Sequence, residues 1–203
     1  MIIYATHKGG RYLPLAESLK IEPSNLRGLY VNLTNRCNCD CVFCLRQKKS
    51  MAKESSLWLE REPTVEEVKA ELDAAPWQVV KEVVFCGFGE PTIRLAELLE
   101  LLAYIKKIRP DMPTRLNTNG LGELYHGREI AADFENILDT ASISLNAATA
   151  EKYAQFMKDQ DYDEIADMLE RVSHDGYSFV VYTEPEIIDG RILSFRVARM
   201  KDN

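Results

Sequence analysis

Four of the five cysteines fall in the run Thr34-Asn35-Arg36-Cys37-Asn38-Cys39-Asp40-Cys41-Val42-Phe43-Cys44, a density that core packing does not require. Cys37, Cys41 and Cys44 have the spacing C-x-x-x-C-x-x-C. A loop of that length can wrap three thiolates around an iron-sulfur cube; the cube has four irons, so one is left open. An open iron can take a substrate or cofactor, whereas a fully ligated cluster mainly carries electrons. Disulfides, structural zinc and buried free thiols are the competing readings. Cysteines this close do not easily reach disulfide geometry. Structural zinc usually takes two separated ligand pairs, but Cys86 stands alone and His7, His126 and His174 are scattered. An iron-sulfur cluster is therefore the working assignment, with Cys39 as a surplus, non-ligating thiol.

The elements around this loop must hold it. Ile2-Ile3-Tyr4 reads as a short strand and Gly9-Gly10 as a turn, an N-terminal hairpin expected to cap one end of a barrel. The stretch 26–33 (LRGLYVNL) has the β-branched and aromatic content of a strand that ends in the cysteines. Leu57-Trp58-Leu59 is expected to pack back on the domain. Thr64 and Glu67 have capping-box spacing, and Val65, Val68 and Leu72 recur on one helical face until Pro76. Residues 82–88 read as a buried parallel strand.

The alternation continues along the chain. Leu95, Leu98, Leu99, Leu102, Ile105 and Ile108 mark a helix, 114–117 a strand, 128–138 a helix and 141–146 a strand. Two helices are expected between Thr149 and Gly176, then a strand over 177–183. The link around Asp189-Gly190 has room only for a turn, so the final strand, 193–200, must pair antiparallel. Repeated β-α units with right-handed crossovers curl a sheet into a barrel. At 203 residues the chain is short of the roughly 250 that eight units need. The expected fold is α/β, an open, partial TIM-like barrel of five to six strands in one domain.

Composition sets further bounds. With 46% hydrophobic residues the chain can bury one substantial core, and a net charge of -7 argues against nonspecific nucleic-acid binding. Arg46, Lys48, Lys49 and Lys53 are a local basic group, read as a solvated loop. No apolar run is long enough to span a bilayer and no leader is apparent, so a soluble, cytoplasmic protein is expected.

Barrels of this kind carry their chemistry at the C-terminal ends of the strands. After the cysteines come Gly87-Phe88-Gly89-Glu90-Pro91, then Asn117-Thr118-Asn119-Gly120, then Ser142, Ser144 and Asn146. Glycines let backbone approach a ligand, and Glu90 adds a carboxylate suited to an ammonium group. The same pentad also reads as a tight strand-to-helix turn. Asn117, Asn119, Ser144 and Asn146 can donate and accept as sugar hydroxyls and a carboxylate require, and they equally suit turns.

Taken together, C-x-x-x-C-x-Phe-C after a first strand, Gly-x-Gly-Glu-Pro after the second and polar ends on later strands resemble the radical S-adenosylmethionine (SAM) superfamily, over roughly 26–183. The resemblance implies that Cys37, Cys41 and Cys44 ligate a [4Fe-4S] cluster and that S-adenosylmethionine chelates the open iron. It places Phe43 near adenine, Gly87, Phe88, Gly89 and Glu90 at the methionyl part, and Asn117, Asn119, Ser144 and Asn146 at ribose or carboxylate. The implied reaction is reductive cleavage to a 5'-deoxyadenosyl radical that takes hydrogen from an unidentified substrate, with an electron donor such as flavodoxin or ferredoxin. An activating enzyme that installs a glycyl radical on a partner protein, or a noncatalytic iron-sulfur or zinc module, is the alternative. Residues 1–25 would form an N-terminal extension and 26–203 the radical SAM domain. Within the superfamily, 57–64 (LWLEREPT) and the small size are similar to the TatD-linked radical SAM group. Gly-Phe-Gly departs from the three small residues of many members, which narrows the expected methionine pocket.

Overall fold

The computed structural model describes residues 1–7, 11–21, 28–42, 44, 57–144, 179–188 and 191–199. The strands are β1 (Ile3–His7), β2 (Arg11–Pro14), β3 (Gly28–Val31), β4 (Glu82–Phe85), β5 (Thr114–Thr118), β6 (Thr140–Ile143), β7 (Phe179–Ile188) and β8 (Arg191–Arg199), with a short helix α1 (Leu15–Ile21) directly after β2. They make one sheet in the order β2-β1-β3-β4-β5-β6-β7-β8. β3 through β7 pair in parallel, and β7 pairs antiparallel with β8, as the short final turn requires. Among the described residues the sheet does not close, and the fold is an open, partial barrel. The N-terminal hairpin differs from expectation. β1 pairs antiparallel with β3 and continues the sheet at its edge instead of capping a barrel end.

Alternation decides what each strand faces. Leu29, Val31, Val83, Phe85 and Leu116 fall on one side and bury against helices α2 (Val65–Asp73) and α3 (Leu95–Ile108). Those helices contribute Val68, Leu72, Leu98, Leu101, Leu102 and Ile105, each essentially inaccessible. The intervening positions, Tyr30, Val84, Arg115 and Asn117, point the other way. α2 begins as its sequence indicated. Thr64 Oγ1 accepts from Glu67 N at 3.2 Å, and Thr64 N donates to Glu67 Oε2 at 2.8 Å.

The helix expected over 128–138 is replaced by α4 (Gly122–His126) and a 3-10 turn, Ala131–Phe134. Gly127 at φ 62° ends α4, and Asn136 at φ 61° takes a left-handed conformation that a continuous helix cannot pass through. Glu123 ties the pieces together, since Ile130 N donates to its Oε1 at 3.1 Å. Trp58 is also not packed away. Leu57 and Leu59 turn inward, leaving Trp58 54% exposed with its ring 6.4 Å from Phe88. Phe43, Asn146, the basic residues from Arg46 to Lys53 and the helices expected after Thr149 lie outside the described residues.

Thr64→Ala removes one half of the capping box and should cost about 1 kcal/mol. Thermal unfolding is expected to show a midpoint lower by roughly 2–4 °C.

Candidate functional site

The segment from Asn32 to Arg36 carries β3 into the cysteines, and side chains fix almost every step of it. Asn32 Nδ2 donates to Leu57 O at 2.6 Å, and Asn35 bonds both the N–H and the C=O of Leu59, at 3.0 and 2.7 Å. Glu62 is a second anchor. It accepts from Thr34 Oγ1 at 2.5 Å and from Arg36 Nε and Nη2 at 2.6 and 3.1 Å. Arg94, only 8% exposed, donates from Nη1 to Leu33 O at 3.0 Å and Pro63 O at 2.7 Å, while Nη2 reaches Glu97 Oε1 at 2.8 Å.

The glycine segment lies directly against this base. A Cβ on Gly89 would stand 2.3 Å from Thr34 O and 2.5 Å from Arg36 O, and Glu90 N donates to Arg36 O at 2.8 Å. A Cβ on Gly87 would stand 2.1 Å from Asn32 Oδ1. Both glycines are therefore required by close approach of other chain atoms, whatever ligand they also meet. Asn32 Oδ1 is buried with no hydrogen-bond partner and rests against Gly87.

Glu90 is 4% exposed and fully engaged. Its Oε1 accepts from Thr92 N, Thr92 Oγ1 and Thr118 Oγ1 at 3.1, 2.8 and 2.7 Å, and its Oε2 accepts from Asn119 N at 2.7 Å. Burial pushes its pKa upward against the pull of those bonds. Asn119 passes the connection to the cysteines: its Nδ2 lies 2.7 Å from Asn38 Oδ1, 3.2 Å from Cys39 Sγ and 3.9 Å from Cys37 Sγ.

In the loop itself, Cys44 N donates to Cys41 O at 3.0 Å and Cys39 N to Cys37 Sγ at 3.4 Å. None of the five cysteines is in a disulfide, and Cys37, Cys41 and Cys44 are half-buried while Cys39 is buried. The Cys39 thiol is pushed well above its ordinary pKa by hydrogen bonds to Cys37 and Cys41 and then by burial. Among the described residues no three potential ligands converge on a single-ion site. The three thiolates of a cube bind three different irons and need no common point. A set of three soft thiolates, accessible and on one braced loop, fits an iron-sulfur cluster.

The structure thus gathers Cys37, Cys41, Cys44, Gly87, Gly89, Glu90 and Asn119 around one strand-end region. Asn117 and Ser144 bond to other partners. Asn117 Oδ1 accepts from Arg115 Nη1 at 3.0 Å, and Arg115 also pairs with Glu82; Ser144 N donates to Thr118 O at 2.9 Å. Phe88 meets Trp58. Sequence reasoning missed Asn32, Glu62, Arg94 and Thr118, whose partners are 25 to 61 positions away in the chain. It also missed Cys86, whose sulfur lies 3.3 Å from the buried Tyr4 hydroxyl and whose pKa burial raises to about 11.

Two substitutions test the clamp. Gly89→Ala must displace the Thr34–Arg36 backbone, so S-adenosylmethionine affinity should fall at least tenfold while α2 and α3 retain their far-ultraviolet signal. Glu90→Gln places an amide N–H against a donor and should cost about 1–3 kcal/mol. Because the folded-state pKa of Glu90 lies above its unfolded value, the proton it holds favours the folded state at low pH. That contribution is lost as pH rises through the folded pKa. The stability gap between wild type and Glu90→Gln, read from urea midpoints, should narrow from pH 5 to pH 8.

The family model described as the Radical SAM superfamily matches residues 31–184. A GTP 3',8-cyclase of Corynebacterium glutamicum (strain R) is 32% identical over 165 residues, 76% of this chain and 41% of that protein. A probable GTP 3',8-cyclase of Pyrococcus horikoshii is 32% identical over 142 residues, 70% of this chain and 40% of that protein. An Fe-coproporphyrin III synthase of Methanosarcina barkeri is 37% identical over 89 residues, 44% of this chain and 20% of that protein. The chain spans about two-fifths of the length of the cyclases it matches. With the match covering most of the sequence and a thiol loop braced for a cluster, this chain belongs to the radical SAM superfamily.

Proposed function

We propose that the chain is a radical enzyme in which Cys37, Cys41 and Cys44 hold a [4Fe-4S] cluster with one open iron, and which takes a hydrogen atom from a substrate of its own. The cofactors of the superfamily are that cluster and S-adenosylmethionine; when bound, they supply a 5'-deoxyadenosyl radical by reductive cleavage of the sulfonium. The observation that carries the reading is the contact between two motifs. The glycine segment is pressed onto the backbone that leads into the cysteines, with Gly89 against Thr34 and Arg36 and Glu90 N bonded to Arg36 O.

The chain's own residues then have separate tasks. The thiolates of Cys37, Cys41 and Cys44 bind iron. The backbone of Gly87 to Glu90 offers polar groups to the methionyl end, while the Glu90 side chain serves the scaffold, because its four hydrogen bonds are internal. Asn117 presents an amide whose oxygen is held by Arg115, leaving its N–H groups for ribose or carboxylate oxygens. Phe43, Ser144 and Asn146 complete the proposed contacts. The electron comes from a low-potential donor such as flavodoxin or ferredoxin, in the cytoplasm where thiols stay reduced. Similarity to proteins named GTP 3',8-cyclase makes a purine nucleotide the first substrate class to try.

Anaerobic reconstitution with iron, sulfide, dithionite and S-adenosylmethionine should give a brown protein that releases 5'-deoxyadenosine. Cys41→Ala should lose both the chromophore and the cleavage. A wild-type protein that binds zinc and no iron under these conditions would overturn the assignment.

A further inference from the structure

Phe88 puts a ring into a segment that otherwise has no side chain to place. Gly87 and Gly89 on either side of it are pressed onto the β3 exit, at Asn32 and at the Thr34 and Arg36 carbonyls. The backbone they share with Phe88 is the part of the segment offered to the methionyl end of S-adenosylmethionine. A phenyl ring free to turn buries itself on whatever surface is within reach. With glycine on both sides, that surface is the neighbouring backbone.

Trp58 gives the ring another place to lie. The two centroids are 6.4 Å apart with 51° between the planes, within the range of direct aromatic contact. A third ring cannot enter between them, since two van der Waals gaps need about 7 Å. The pair is a contact and not a clamp. Trp58 is exposed while Leu57 and Leu59 on either side of it are 5% and 4% exposed, so core burial does not account for an indole at this position.

One side chain mounts both partners. Asn32 Nδ2 donates to Leu57 O, one residue before Trp58, and Asn32 Oδ1 lies against Gly87, one residue before Phe88. That placement leaves the buried Oδ1 without a hydrogen-bond partner, an unfavourable state that the contact with Gly87 imposes. On the far side of Trp58, Asn35 bonds both backbone groups of Leu59. On the far side of Phe88, Gly89 rests on Thr34 and Arg36. The backbones that carry the two rings are therefore set against one another by the strand exit that leads into the cysteines.

We propose that Trp58 is a positioning residue that holds the Phe88 ring off the Gly87–Glu90 backbone and so keeps the methionyl end of the S-adenosylmethionine site open. The inference rests on the reading that this backbone receives the methionyl group. Trp58 acts through Phe88 and touches neither cluster nor cofactor.

The test is equilibrium dialysis of labelled S-adenosylmethionine against anaerobically reconstituted protein, with iron content and urea midpoint measured for each variant. Trp58→Ala should keep its iron and its midpoint and bind about fivefold more weakly, the loss of one ring contact worth about 1 kcal/mol. Trp58→Phe, which retains a ring, should recover most of that loss. Phe88→Ala should bind more tightly than Trp58→Ala, because no ring remains to cover the backbone, and adding Trp58→Ala to it should change affinity by less than about twofold. In protein labelled with para-fluorophenylalanine, the fluorine resonance that Phe88→Ala removes should shift in Trp58→Ala. Equal losses in Trp58→Ala and Phe88→Ala would make the pair a wall of the site, and additive losses would give each ring a separate role; either result overturns the proposal, as does an unshifted resonance. If the wild type binds no S-adenosylmethionine, or Gly89→Ala leaves its affinity unchanged, the reading of the glycine segment fails and this inference falls with it. If Gly89→Ala weakens binding while Trp58→Ala does not, only the restraint by Trp58 is refuted.

Discussion

A carboxylate placed where water cannot reach it organises this site. Burying Glu90 without a positive partner is unfavourable unless donors replace its hydration. The donors come from two chain segments: the backbone and hydroxyl of Thr92, and the Thr118 hydroxyl and Asn119 N–H at the end of β5. The carboxylate thus ties the β4 exit to the β5 exit. Its own N–H reaches Arg36, so the β3 exit is joined as well. Three parallel strands end in one polar knot, and the cysteines begin one residue after Arg36.

The two glycines follow from this knot. Drawing β4's exit down onto β3's exit leaves no room for a Cβ at 87 or 89, because Asn32, Thr34 and Arg36 already occupy it. Gly89 meets backbone, which cannot swing away, while Gly87 meets the tip of a side chain. Substitution at 89 is for that reason the more disruptive of the two. Arg94 performs a matching task beneath the loop. It donates to the carbonyl of Leu33, just past the end of β3, and to that of Pro63, just before α2, and Glu97 balances its charge.

How much of this could be read from the sequence depended on how local each signal was. The capping box at Thr64 and Glu67, the apolar stripe of α3 and the forced antiparallel return into β8 are set within a few positions of one another, and all are present. The cysteine spacing is local too. The strand ends were equally legible as places, since runs of apolar and β-branched residues mark β3 and β4, and β5 alternates in burial. Their internal wiring was not. Glu90 reads in the sequence as a carboxylate free for a ligand, and only the fold reveals that Thr118 and Asn119 claim it. Asn119 reads as a ribose contact, but its amide faces Cys39. The helix expected over 128–138 is absent for a different reason: its apolar residues had acceptable spacing, while the left-handed turn at Asn136, a residue type that tolerates that conformation, is a signal that the spacing overrode.

The open barrel explains why polar side chains can stand behind the loop. In a closed eight-strand barrel the inward positions must be filled with branched apolar side chains. Here the side of the sheet away from α2 and α3 carries Tyr4, Tyr30, Glu82, Arg115, Asn117 and Ser142 along adjacent strands. Tyr4 stacks on Tyr30 with centroids 5.3 Å apart and meets Tyr12 edge-on at 5.5 Å. That cluster is built by the N-terminal hairpin, which extends the sheet past β3 and contributes two of its three rings. The Glu82–Arg115 pair, joined at 3.2 Å, then fixes Asn117 from below. Apolar packing against the helices thus holds the strands, and the other side, where Tyr4, Val84 and Ser142 are also buried, carries the polar groups.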